Sequence, residues 1–164
     1  MTPCFPDARP AHLKSARAGA SVGVMAPPLT QDVKELVDRA NFAHLATLRK
    51  DGSPQVDPVW IGREGDHLLI GTGERTRKAR NARRDPRVSL SIVDFQDPYE
   101  EAMLQGRVVE HRPDGDFRVM DAISRKYTGK DFPWRNPQGR VALVIEIVAA
   151  TFRKLPLEHT PPRR

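Results

Sequence analysis

Six segments between Phe42 and Lys154 alternate apolar and polar residues with a period of two, and short turn signals separate them. Period two belongs to a pleated strand with one buried face, so this pattern constrains the fold more than any other feature of the chain. "FAHLATLRKDGSPQVDPVWIG" reads as two strands around Lys50-Asp51-Gly52, where Asp and Gly tolerate positive φ. His67 to Thr72 supplies a third strand, and "RVSLSIVD" a fourth in which Val88, Leu90 and Ile92 oppose Ser89 and Ser91. "YEEAMLQGRVVEHR" reads as a longer strand, bent or bulged at Gly106. Val141, Leu143, Ile145 and Ile147 make the apolar side of the last. The strands follow one another at hairpin spacing without a βαβ rhythm. The expected fold is therefore mainly β with short helices (α+β), a six-stranded antiparallel barrel.

Three helices interrupt the strands. "LTQDVKELVDRA" has Thr30 as N-cap, with Val33, Leu36 and Val37 on one face. A basic segment follows the third strand, and Asp85-Pro86 stops it because the residue before proline avoids the α region. "PDGDFRVMDAISRKY" places Pro113 near N1 and an apolar stripe on Phe117, Met120 and Ile123. Composition sets the boundaries. Residues 1–28, rich in Ala, Pro, Gly and Arg, read as a disordered extension; 29–154 form the domain; 155–164 read as a flexible tail. "ARAGASVGVMAPP" imitates a secretory signal but has no leucine-rich centre, so a cytoplasmic location is expected. The single cysteine, Cys4, fits a reducing compartment, and no apolar run is long enough to span a membrane.

The basic segment stands out by charge. Glu74 to Arg87 holds seven basic residues against two acidic ones, and accounts for five of the chain's net charge of +6. On a helical wheel Arg77, Arg80, Asn81 and Arg84 gather on one side, with Ala79 and Ala82 roughly opposite. A DNA-reading helix needs sizeable apolar residues to dock on a partner helix, and two alanines after a strand do not supply them. Nucleic acid is not the expected partner, and a solvated charged face is the plain alternative. The start of the helix is more specific. Gly71-Thr72-Gly73 leads from strand to helix, where unpaired N–H groups favour a phosphate. Thr72 and Thr76 add hydroxyls there, and Arg77 and Lys78 add full charge.

Other chemistries find no support. His12, His44, His67, His111 and His159 are scattered singly, so no metal site is expected. Nucleophile elbow, Walker and dinucleotide fingerprints are absent, and Glu100 and Glu101 point to opposite faces of one strand.

Two motifs carry a family resemblance: A-T-L-x-x-D-G-x-P at Ala46–Pro54 and R-K-A-x-N-x-x-R-D-P-R-V at Arg77–Val88. With "AMLQGRVVE" and "YTGKDFPWRNPQGRVALVIEI", they make residues 29–154 resemble the pyridoxamine 5′-phosphate oxidase-like flavin-binding proteins. The likeness is greatest to the branch that uses the deazaflavin F420. The resemblance implies a Greek-key split β-barrel, homodimeric, with cofactor sites at the subunit interface. By motif position, Thr72, Arg77 and Lys78 would hold the cofactor phosphate, and Asn81 a further polar group, with Gly71 and Thr76 as further cofactor contacts at the same junction. Pro58, Val59 and Trp60 would lie beside the ring, with Thr47 on the neighbouring strand.

The resemblance has departures. "TFRKLPLEHTPPRR" lacks the substrate segment of the oxidases proper, so vitamin B6 oxidation is not expected. Asp57 and Gly62 stand where those oxidases carry basic residues for FMN, which favours F420 over the alternative, FMN. The expected activity is hydride transfer from reduced F420 to a small electrophilic substrate. The alternatives are an FMN-dependent oxidoreductase and a carrier without turnover. Lys126, Tyr127, Trp134 and Arg135 lie where they could meet substrate, and no residue stands out as the catalytic acid.

Overall fold

The computed structural model describes residues 28–160. Its elements are α1 (Gln31–Asp38), β1 (Ala43–Leu48), β2 (Pro54–Val59), β3 (Gly62–Glu64), β4 (His67–Gly73), α2 (Arg77–Arg84), β5 (Arg87–Val93), β6 (Glu100–Pro113), α3 (Arg118–Thr128) and β7 (Arg140–Lys154). The expectations for residues 1–27 and 161–164 lie outside the described residues. Residues 155–160 follow β7 without helix or strand, and the Leu155 N–H donates to the Tyr99 carbonyl.

All seven strands pair antiparallel in the order β2-β1-β5-β6-β7-β4-β3. The pairings β1–β5 and β7–β4 join strands distant in sequence, so the sheet is not a simple meander. No ladder joins β2 to β3 among the described residues, and the barrel is split rather than closed. The seventh strand, β3, was not expected. Its three residues are too few to show alternation, and it forms only as an edge partner of β4.

Alternation sends one side of each strand inward. Leu45, Leu68, Ile70, Ile92, Leu104, Leu143 and Ile145 are almost wholly buried. Each such side chain contributes on the order of 1.5–3 kcal/mol. Val33, Leu36 and Val37 of α1 and Ala79 and Ala82 of α2 join this core. Helix α3 covers the opposite face of β4 and β7, through Ile123 against Leu69 and Val144. Glycine makes that contact close: a Cβ on Gly71 would stand 2.5 Å from Met120 Sδ.

The bulge expected at Gly106 is present, as a register shift against β7 between Gln105 and Gly106. A Cβ there would meet the Glu146 carbonyl oxygen at 2.6 Å, so only glycine lets the two long strands cross this closely. The start of α3 differs from expectation. Pro113 ends β6 instead of opening the helix, which begins five residues later at Arg118. Phe117 precedes it at φ 63°, and the buried Asp114 carboxylate accepts from the N–H groups of Val119 and Met120. A side-chain cap from outside the helix thus replaces proline.

An ionic clasp ties the end of α1 to the β5–β6 turn. Arg39 reaches Asp94 at 2.7 Å and also bonds Glu100, whose other oxygen accepts from Lys154 at 2.9 Å. Both carboxylates are buried, and Asn41 Nδ2 donates to Asp94 at 3.1 Å.

Candidate functional site

The junction of β4 and α2 is set by threonine chemistry. Thr76 caps the helix: its hydroxyl donates to the Gly73 carbonyl at 2.8 Å and accepts from the Ala79 N–H. That hydroxyl proton is committed, so the Thr72–Thr76 contact of 3.0 Å has Thr72 as donor. Both hydroxyl protons expected to meet a phosphate are therefore engaged inside the chain. The N–H groups of Arg77 and Lys78 in the first turn have no acceptor among the described residues. They, with the exposed Arg77 guanidinium, remain to receive an anion.

Lys78 leans across to β2, with Nζ 3.7 Å from Asp57 Oδ1, and Asp57 also accepts from Gln55 at 3.0 Å. Glu74 N–H donates to the Gly139 carbonyl at 2.7 Å, which brings the loop before β7 over the junction. Between them lies an open cavity of about 450 Å³, lined by Thr76, Arg75, Asn136 and Gln138 among others.

Three expected contacts, Asn81, Thr47 and Gly71, face inward. Asn81 is buried, contrary to the wheel that grouped it with the arginines, and its Nδ2 donates to Thr47 Oγ1 at 3.0 Å. Its Oδ1 accepts from Arg84, which also bonds the Leu48 carbonyl. Helix α2 has only two alanines to pack, so a polar pair completes its inner face against β1. Gly71 lies under Met120. Arg77, Arg80 and Arg83 remain on the exposed side.

Pro58 is exposed on β2 and Val59 is buried. Trp60 turns toward α3, where its ring stacks on Tyr127 with centroids 5.0 Å apart. Tyr127 is fixed at both ends: its hydroxyl accepts from the Ile61 N–H at 3.1 Å and donates to the Asn41 carbonyl at 2.5 Å. Burial raises the Tyr127 pKa, and burial pushes Lys126 down to about 8. Arg135 pairs with Asp121 and lies over the Phe117 ring. Trp134, 75% exposed, touches only the edge of Phe132 among aromatic neighbours. Of the four residues considered for substrate, Trp134 is the least engaged within the chain.

A further concavity is one that sequence did not single out. A groove of about 480 Å³ crosses the open face of β2, β1, β5, β6 and β7. Ala46, Val56, Ser89, Ser91, Met103 and Ala149 line it, and its walls contain no Asp, Glu, Lys or Arg. The signal lay in the strand alternation, whose outward positions are small or apolar here instead of charged.

Residues 29–154 match the sequence model of the pyridoxamine 5′-phosphate oxidase family. The chain belongs to that family. Among solved structures it is similar to an F420 reductase, with 30% identity and a TM-score of 0.65 over 72% of this chain and 94% of that one. It is also similar to a conserved hypothetical protein from Mycobacterium tuberculosis, at 22% identity and a TM-score of 0.65, covering 87% of this chain and 98% of that one. General Stress Protein 26 from Bacillus anthracis matches at 13% identity and a TM-score of 0.58, covering 75% and 92%. The last two support the family's fold alone. Among the described residues no helix is long and apolar enough to cross a membrane, and no group of His, Cys, Asp and Glu could hold a metal ion.

Proposed function

We propose that this family member is a cytoplasmic F420-dependent oxidoreductase that passes a hydride to a small electrophilic organic substrate. The observation that carries the reading is the 30% identity to an F420 reductase over 94% of that chain. The junction fits a phosphorylated cofactor, because Arg77 and Lys78 present two N–H groups without acceptors among the described residues, beside two cationic side chains. Once bound, such a cofactor supplies the hydride itself.

What this chain contributes is binding and orientation. Arg77 and Lys78 hold the phosphate, with Thr72 and Thr76 joining if their mutual bond opens. Pro58 borders the ring on β2, and Val59, whose side chain is buried, contributes through its backbone. The exposed arginines of α2 draw polyanionic groups from a distance. Trp134 and Arg135 sit in the loop nearest the cavity and meet the substrate, while Lys126 and Tyr127 hold α3 in place behind it. Thr47 and Asn81 support the junction from within.

The uncharged groove supports a homodimer in which a second copy covers the open sheet face and completes the cofactor site. Val56 and Met103 on that face are 59% and 42% exposed, as large apolar groups awaiting burial would be. A second reading, FMN in place of F420, is favoured by the match to the oxidase family. A carrier that binds either cofactor without turnover would use the same junction.

Fluorescence titration of the purified protein with F420 and with FMN tests the proposal. Saturable F420 binding supports it. A yellow, FMN-loaded preparation would transfer the site to FMN, and binding of neither would sink the cofactor reading.

A further inference from the structure

Lys126 differs from every other described lysine. Lys34 pairs with Asp66 at 2.8 Å, Lys78 with Asp57 at 3.7 Å and Lys154 with Glu100 at 2.9 Å. Lys50 and Lys130 stand exposed in solvent. Lys126 is half-buried with no carboxylate in salt-bridge contact; its Nζ donates to the Val37 carbonyl at 2.6 Å and lies 4.8 Å from the Tyr127 ring centroid. The same residue lines a cavity of about 200 Å³ between α1, β3 and α3, whose apolar wall is Leu69, Val119 and Ile123. The charged groups on this cavity are Asp38 from α1 and Arg63 from β3, and they pair with each other at 2.6 Å.

An amine held against an apolar cavity, without a counter-ion of its own, is arranged as a nucleophile. We infer that Lys126 is a covalent modification site that condenses with small apolar aldehydes entering this cavity. The neutral Nζ adds to the carbonyl carbon; the carbonyl oxygen then leaves as water with the two amine protons, and a carbon–nitrogen double bond remains. No oxidant or reductant is required. Burial supports the step, since it pushes the ammonium down to about 8, against the weaker opposing pull of Asp38, and leaves about a tenth of the amine neutral at pH 7. This inference does not depend on which cofactor the protein binds.

The test is benzaldehyde labelling of the folded, full-length protein, trapped with borohydride and mapped by peptide mass spectrometry. Lys126 is expected to be labelled about tenfold more than Lys50 or Lys130, with yield rising as pH increases through about 8. Urea-unfolded protein should lose the preference. Lys126→Arg should remove this adduct, and Ala122→Phe, a change at an exposed position on the cavity, should reduce it severalfold while Lys50 labelling stays constant. Equal labelling of all lysines in the folded protein, or full labelling of Lys126 in Ala122→Phe, would overturn the inference.

Discussion

Asn81 Nδ2 donates to Thr47 Oγ1 across 3.0 Å, behind α2 and out of reach of solvent. The most basic helix among the described residues is thus anchored by a neutral hydrogen bond, while its arginines stay outside. Asn81→Ala leaves the Thr47 hydroxyl and the Arg84 guanidinium each short of a partner. A loss of about 1–3 kcal/mol is expected, because a buried polar group stripped of its partner carries its full desolvation cost. Urea denaturation of Asn81→Ala and of the double variant with Thr47→Val measures it; the double variant should recover part of the loss.

Acid should loosen the clasp at Arg39. Its guanidinium is the first cause that holds the Glu100 carboxyl below its ordinary range, with Lys154 assisting. Burial alone would raise Asp94, but the N–H groups of Asp97 and Gln96 and the Asn41 amide outweigh it and bring it down. Carboxyls depressed in the folded state add stability that is complete above their unfolded values and is lost as pH falls through the folded ones. The melting temperature should therefore hold from neutrality to about pH 5 and decline below about pH 4. Arg39→Ala should flatten that decline and cost about 1–2 kcal/mol at pH 7, the half-exposed guanidinium being partly screened.

Two glycine substitutions should differ in cost. Gly71→Ala drives a methyl against the Met120 thioether, which can swing aside, whereas Gly106→Ala meets the Glu146 carbonyl of a paired strand. Overpacking costs about 1–3 kcal/mol, with Gly71→Ala at the lower end and Gly106→Ala at or above the upper. Differential scanning calorimetry ranks them, and equal melting temperatures would contradict the geometry.

At the β4–α2 junction, Lys78→Ala is expected to weaken cofactor binding about tenfold, the loss of one charge-assisted contact. Arg80→Ala and Arg83→Ala should act differently, lowering affinity only at low salt, since their charges are exposed and screened. Fluorescence titrations at two ionic strengths separate the two behaviours, and an unchanged affinity in Lys78→Ala would misplace the phosphate.

The barrel was legible because each long strand alternates, and Gly106 and Asp85-Pro86 act through local backbone rules that hold in any fold. Where the sequence reading failed, tertiary contacts decided. Gly62-Arg63-Glu64 becomes a strand only beside β4. Phe117 enters the left-handed region because Asp114 caps α3 from outside the helix. The wheel groups Asn81 with the arginines, but the Thr47 hydroxyl holds it inward, a contact between residues 34 positions apart. Of the candidate site, the helix start could be located from residue types, but not the fact that Thr72 and Thr76 bond each other first. The uncharged open face showed only as a lack of charge in alternating positions, a weaker signal than a cluster.

The free margin of the sheet at β2 carries Pro54, Val56 and Pro58 on one side of its backbone. Prolines on an edge strand sit where an N–H would have pointed away from the sheet. Of three outward positions, only Val56 can then offer a donor to an incoming strand. Growth of the sheet from chain to chain, the route to open-ended fibres, is blocked at this margin. In the proposed homodimer, two copies meeting through the broad face would instead cover the same patch on each other, and such a pairing would close on itself at two.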